Sequence, residues 1–211
     1  MRSVTAITLF LFTVLGATAS HATSTWTTLD HPSATVTTTH LRGIDGTNIV
    51  GWYVDSSGNR HGTLYDGSTW ATHDYPSATA TSLSGIDGNN MVGTYTDSSG
   101  NRHGTLYDGS TWTTLDYPSA TTTHLRGIDG TNIVGWYEDS SGNRHGTLYD
   151  GSTWTTLDHP SATGTHLRGI DGNNMVGSYT DSGGTDHGFL YDGSTWTTLD
   201  HPSAIGTSLT G

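Results

Sequence analysis

DSSGNRHGTLYDGSTW reads without change at 55–70, 97–112 and 139–154. Self-similarity of this kind has priority over local propensity, because it announces a repeat architecture. Working outward, Trp26, Trp70, Trp112, Trp154 and Trp196 mark the period, with spacings of 44, 42, 42 and 42 residues. The longer first spacing comes from two extra residues between Pro32 and Gly46. All five prolines share one phase, at Pro32, Pro76, Pro118, Pro160 and Pro202.

Each unit divides into four short strand-like runs. In the unit that opens at His124, HLRGID (124–129) is the first run. Asp129-Gly130 follows as a hairpin signal, since glycine accepts the positive φ of tight primed turns. NIVGWYED (132–139) is rich in β-branched and aromatic residues and reads as the second strand. SSGNR is a longer turn, HGTLYD (145–150) the third strand and TWTTLD (153–158) the fourth. His159-Pro160 then ends the pairing, because proline cannot donate to a ladder. No segment carries a 3.6-residue apolar period, and the density of Gly, Thr, Ser and Asp opposes helix.

Alternation selects the architecture. Ile133 and Tyr137 fall on one side of the second strand, Val134 and Trp136 on the other. A small sheet that is apolar on both faces must lie between copies of itself. Four-stranded units of ~40–45 residues stacked in this way are β-propeller blades. The expectation is an all-β, propeller-like array of four-stranded antiparallel blades with a period near 42 residues. It has four full units, near 26–69, 70–111, 112–153 and 154–195, and a partial one at 196–211. A β-helix is the competing architecture, disfavoured by its shorter coils. The final Ser208-Leu209-Thr210-Gly211 repeats the start of a first strand, so an open arc, or a fragment of a longer propeller, is expected rather than a closed ring.

Residues 1–22 read as an export signal: Arg2, then an apolar run from Val4 to Leu15, then small residues ending at Ala22. The run is shorter than the ~20 residues of a membrane span. The mature repeat domain is then 23–211, without a membrane span, and secreted, periplasmic or on the cell surface. Composition narrows its function. Seven arginines and no lysine face 19 acidic residues, for a net charge of −12, which argues against nucleic acid as a partner. There is no cysteine, hence no disulfide framework and no thiol nucleophile. Only 31% of the residues are hydrophobic. Aromatic residues in fixed phase argue against disorder all the same.

The motifs G-I-D-G-x-N-x-V-G and N-R-H-G-T-L-Y-D-G resemble the HAF-type extracellular repeats of bacteria. The resemblance runs through Gly43–Gly51 with His61–Gly67, and through Gly85–Gly93 with His103–Gly109. It continues through Gly127–Gly135 with His145–Gly151, and Gly169–Gly177 with His187–Gly193. Gly follows the histidine where that family has Ala, and Thr replaces Phe in three copies. The resemblance implies export and a propeller-like fold, and it implies no activity.

Candidate binding residues come from the repeat phases. His40, His124 and His166 are each followed by Leu-Arg, which adds Arg42, Arg126 and Arg168. If the first strand is innermost, these triplets converge at a channel, where arginines could hold an anion and imidazoles a metal. Ser82-Leu83-Ser84 breaks the set, and no metal or other cofactor is assigned. Trp52 and Trp136 are replaced by Thr94 and Ser178 in alternate units, which suits an exposed binding position better than a core one. Trp26 and its equivalents are read as packing residues. His61, His103, His145 and His187 are expected to hydrogen-bond a neighbouring turn. Asp55-Ser-Ser-Gly-Asn59 and its copies are turn chemistry rather than calcium loops. Near-identical units offer several weak equivalent sites, which suits multivalent binding rather than catalysis. The reading is a non-enzymatic binding or surface-interaction module for a carbohydrate or other extracellular polymer. The alternative is a structural protein that self-associates through open repeat ends, and a metal protein or enzyme comes third.

Overall fold

The computed structural model describes residues 27–35 and 38–211. Residues 1–22, expected from the sequence to be an export signal, and Trp26 lie outside them. All regular elements among the described residues are strands, in four consecutive meanders. Blade 1 comprises β1 (Thr39–Asp45), β2 (Asn48–Val54), β3 (Arg60–Tyr65) and β4 (Trp70–Thr72). Blade 2 comprises β5 (Ala80–Asp87), β6 (Asn90–Thr96), β7 (Arg102–Tyr107) and β8 (Trp112–Thr114). Blade 3 comprises β9 (Thr122–Asp129), β10 (Asn132–Glu138), β11 (Arg144–Tyr149) and β12 (Trp154–Thr156). Blade 4 comprises β13 (Gly164–Asp171), β14 (Asn174–Thr180), β15 (Asp186–Tyr191) and β16 (Trp196–Thr198). Neighbours in a blade pair antiparallel, and a single parallel pair, Arg60 with Ala80, joins blade 1 to blade 2.

The local chemistry accounts for each connection. Gly46, Gly88, Gly130 and Gly172 open the first hairpins at φ of 56° to 58°, which glycine adopts without a Cβ penalty. In the longer turn, Asp139 Oδ1 accepts from the amides of Ser141 (2.8 Å) and Asn143 (2.9 Å), and Asp55, Asp97 and Asp181 do the same in their units. These bonds account for the DSSGN motif.

The core lies between blades. Val50 of blade 1 packs on Leu83, Ile86 and Met91 of blade 2. Val92 of blade 2 meets Leu125, Ile128 and Ile133 of blade 3. Val134 then meets Leu167, Met175 and Phe189 of blade 4. Ile133 and Val134, neighbours in sequence, therefore serve opposite interfaces, as the alternation requires. Trp112, Trp154 and Trp196 join the same clusters at the outer strand, so they are packing residues. Buried threonines supplement the scarce apolar residues. Thr63, Thr105 and Thr147 are fully buried, and each hydroxyl donates to a carbonyl of the fourth strand at 3.0–3.1 Å. Hydrogen bonding removes most of the cost of burying a hydroxyl.

The first strand of every blade carries a bulge. Pairing jumps from Leu41 to Gly43, Leu83 to Gly85, Leu125 to Gly127 and Leu167 to Gly169. The residue left out of register is Arg42, Ser84, Arg126 or Arg168. A bulge turns its residue away from the ladder. It also puts Leu125 and Ile128, three apart, into one cluster. The glycine after it admits the neighbouring blade: a Cβ on Gly85 would stand 2.8 Å from the carbonyl oxygen of Arg126. The four first strands thereby close in on one axis.

Candidate functional site

Around that axis the four first strands line a central pocket of about 170 Å³ that includes Arg42, Ser84, Arg126 and Arg168. The bulges bring Arg42, Arg126 and Arg168 together there. Arg126 is crowded as well as half-buried. Desolvation first, then the guanidiniums of Arg168, Arg42 and Arg102, lower its pKa to about 10. The Nε atoms of Arg126 and Arg168 are buried without a partner.

The histidines of the same triplets go elsewhere. His40 lies opposite Trp52 in the register and stacks on it at 3.9 Å, and His124 stacks on Trp136 at 4.0 Å. His166 faces Ser178 in its own blade and meets the edge of Trp136 at 5.0 Å. The three imidazoles are thus tied to indoles rather than to one another. Burial, followed by the neighbouring arginines, lowers the pKa of His124 to about 3 and of His166 to about 4, so both are neutral. Trp52 and Trp136 are half-buried rather than free platforms. The guanidinium of Arg60 lies 4.2 Å over Trp52, and that of Arg144 lies 5.3 Å from Trp136.

Where the triplet is broken, a second pocket opens. Ser82 and Thr94 form the cross-strand pair of blade 2 that is His–Trp in blades 1 and 3. With both rings absent, a pocket of about 150 Å³ forms between Trp52 of blade 1 and His124 of blade 3. Its rim carries Arg42, Arg60, Arg102 and Arg126. Thr94 Oγ1 lies 3.2 Å from His124 Nδ1 and orients that ring. Arg60 and Arg102 are the site residues that sequence reading missed. They belong to the DSSGNRHG motif, which reads as turn chemistry, and their place beside Ser82 depends on blade packing.

The remaining histidine phase is structural. The imidazoles of His61, His103, His145 and His187 bond the carboxylates of Asp74, Asp116, Asp158 and Asp200 through Nδ1 at 2.6–2.7 Å. Their Nε2 atoms reach Asp55, Asp97, Asp139 and Asp181 at 3.3–3.5 Å. Each ring ties the end of the fourth strand to the long turn, a richer set of partners than the single turn expected.

No family model and no curated protein matches the chain. Among solved structures it is similar to SapL1 lectin in complex with α-methyl fucoside, at 16% identity and a TM-score of 0.52 over 77% of this chain and 64% of that one. It is also similar to a triple arginine-to-alanine mutant of AofleA from Arthrobotrys oligospora, at 14% identity and a TM-score of 0.51 over 79% and 58%. Aleuria aurantia lectin, described as a six-bladed β-propeller, matches at 15% identity and a TM-score of 0.48 over 77% and 57%. The chain thus spans 57% to 64% of the length of these lectins. The likeness is one of fold, that of β-propeller blades.

Proposed function

We propose that the protein is an exported, non-enzymatic carbohydrate-binding module of extracellular polymers. One observation carries the reading. The junction of blades 1, 2 and 3 holds a pocket whose lining combines Trp52 and His124 with hydroxyls and guanidiniums. A sugar ring needs that combination, an apolar wall with a few convergent polar groups. The likeness to lectin structures agrees with this reading, and the G-I-D-G and H-G-T-L-Y motifs support a place beside the HAF-type extracellular repeats. The segment 1–22 supports secretion or surface display. Against catalysis stands the locking of all four His–Asp pairs into turns that repeat from unit to unit. A glycan array with the purified protein tests the reading. Binding to at least one glycan class, lost on Trp52→Ala, is expected, and an array without signal would remove it.

A specific observation favours a second role, self-association. Ile44 is 67% exposed whereas Ile86 and Ile128 in the same phase are 8% exposed, and Leu199 at the other end is 43% exposed. Apolar side chains exposed on the first and fourth blades invite contacts between copies. Sedimentation velocity should show concentration-dependent oligomers that Ile44→Asp reduces to monomer. A wild-type chain that stays monomeric at every concentration excludes the role.

A further inference from the structure

We infer that the pocket between blades 1, 2 and 3 is a site for one anionic sugar unit, a pyranose that bears a carboxylate or a sulfate. The inference rests on the carbohydrate reading above and adds the charge of the ligand. Four of the chain's seven arginines stand around this pocket, and no Asp or Glu is among its lining residues, in a chain of net charge −12. Among the described residues none of the four has a carboxylate within 4 Å, whereas Arg144, outside the pocket, pairs with Glu138 at 3.7 Å. Like charges gathered in a concave, partly desolvated site raise the local potential. An anion relieves that repulsion, and guanidinium forks bind carboxylate and sulfate oxygens two at a time.

The arginines follow the repeat, and it is the opening between them that departs from it: Ser82 and Thr94 stand where blades 1 and 3 have His and Trp. Blade 4 also lacks the tryptophan, with Ser178 in that place, but it keeps His166 where blade 2 has Ser82. The imidazole of His166 lies edge-on to Trp136 at 5.0 Å. Asp186 takes the place of Arg102. The fold therefore accepts both a filled and an acidic version of this junction, and blade 2 has the open, cationic one. Arg42 and Arg126 reach the pocket from the bulges of β1 and β9, while Arg60 and Arg102 stand exposed at the start of β3 and β7. The hydroxyls of Ser82 and Thr94 lie between and can meet the ring hydroxyls.

Calorimetry on the full chain tests this with a tetragalacturonate, a sulfated galactose oligomer, the neutral galactose oligomer, inorganic sulfate and a polyglutamate peptide. An acidic oligosaccharide should bind about tenfold or more tighter than the neutral one, and weaken as ionic strength rises. Arg102→Asp should remove most of that preference, and Ser82→His should block the pocket. Both introduce the residue that the repeat carries at the same phase, so the thermal midpoint should hold. Arg102→Gln serves in place of the first variant if that one is unstable. Neutral and acidic oligomers bound equally, with Arg102→Asp silent, would overturn the charge assignment and leave the carbohydrate reading standing. Sulfate or polyglutamate bound as tightly as the sugars would overturn the sugar assignment. Glycans that bind on the array but survive Ser82→His would place the site elsewhere.

Discussion

At the scale of single residues, glycine carries much of the specification. Gly51, Gly93, Gly135 and Gly177 sit in the second strands, where glycine ordinarily weakens a sheet. A Cβ on Gly135 would stand 2.0 Å from the carbonyl oxygen of His124, a backbone atom that cannot turn aside. Gly135→Ala should therefore cost about 3 kcal/mol, at the upper end of overpacking effects. Urea denaturation of the variant checks this, and a loss under about 1 kcal/mol would mean that the strands can part. The glycines were visible in the repeat, but their reason was not, because the offending atom belongs to the adjacent strand. The arginines behave similarly. Arg42, Arg126 and Arg168 stood out by phase, and the bulge that aims them at the axis leaves no mark in HLRG that a plain alternating strand would lack.

Among elements, the third and fourth strands are held by the His–Asp clamps, and these make stability depend on pH. Desolvation works against charge on His61, His103 and His145, yet the two carboxylates beside each outweigh it and raise the pKa above 6.5. His187 is raised chiefly by Asp200 and Asp181. A raised folded-state pKa contributes stability that is complete below the unfolded value of about 6.5 and disappears as pH rises through the folded value. His124 and His166 act in the opposite sense. Desolvation, and then neighbouring arginines, depress them to about 3 and about 4, so their contribution is present above 6.5 and is lost as pH falls toward those values. Thermal midpoints measured from about pH 4 to about pH 9 should peak near 6.5. His145→Gln, which leaves three clamps, should make only the alkaline limb shallower, and His124→Gln, which leaves His166, only the acid limb. A variant that moved both limbs would contradict the separation. The clamp was legible as a repeated histidine with a structural task. Its two carboxylate partners were not, since the second lies 13 residues away across the hairpin.

For the whole molecule the decisive feature is cover from both sides. Leu125 is fully buried between blades 2 and 3, while Leu41, at the same position of blade 1, has no preceding blade among the described residues and is half-exposed. Leu125→Ala should cost about 2–5 kcal/mol as a cavity between packed faces. Leu41→Ala should cost about 1 kcal/mol, the value of a partly buried side chain. Equal losses at the two sites would mean that each blade has a core of its own. The amides of Gly88, Gly130 and Gly172 add a second tie, each donating to the hairpin aspartate of the preceding blade, Asp45, Asp87 or Asp129, at 2.6–2.8 Å. The blades are thus joined at their hairpins as well as through the apolar clusters.

Residue order was enough to reveal the period, the four strands of each unit, the turn chemistry and the need for two buried faces. Those properties arise from φ preferences and side-chain alternation, which act within a few residues. The cationic pocket could not be read in that way. It exists because the missing rings of blade 2, two arginines aimed by bulges and two more at the start of third strands meet across three blades. That meeting is a consequence of how the blades stack, and no single unit contains it.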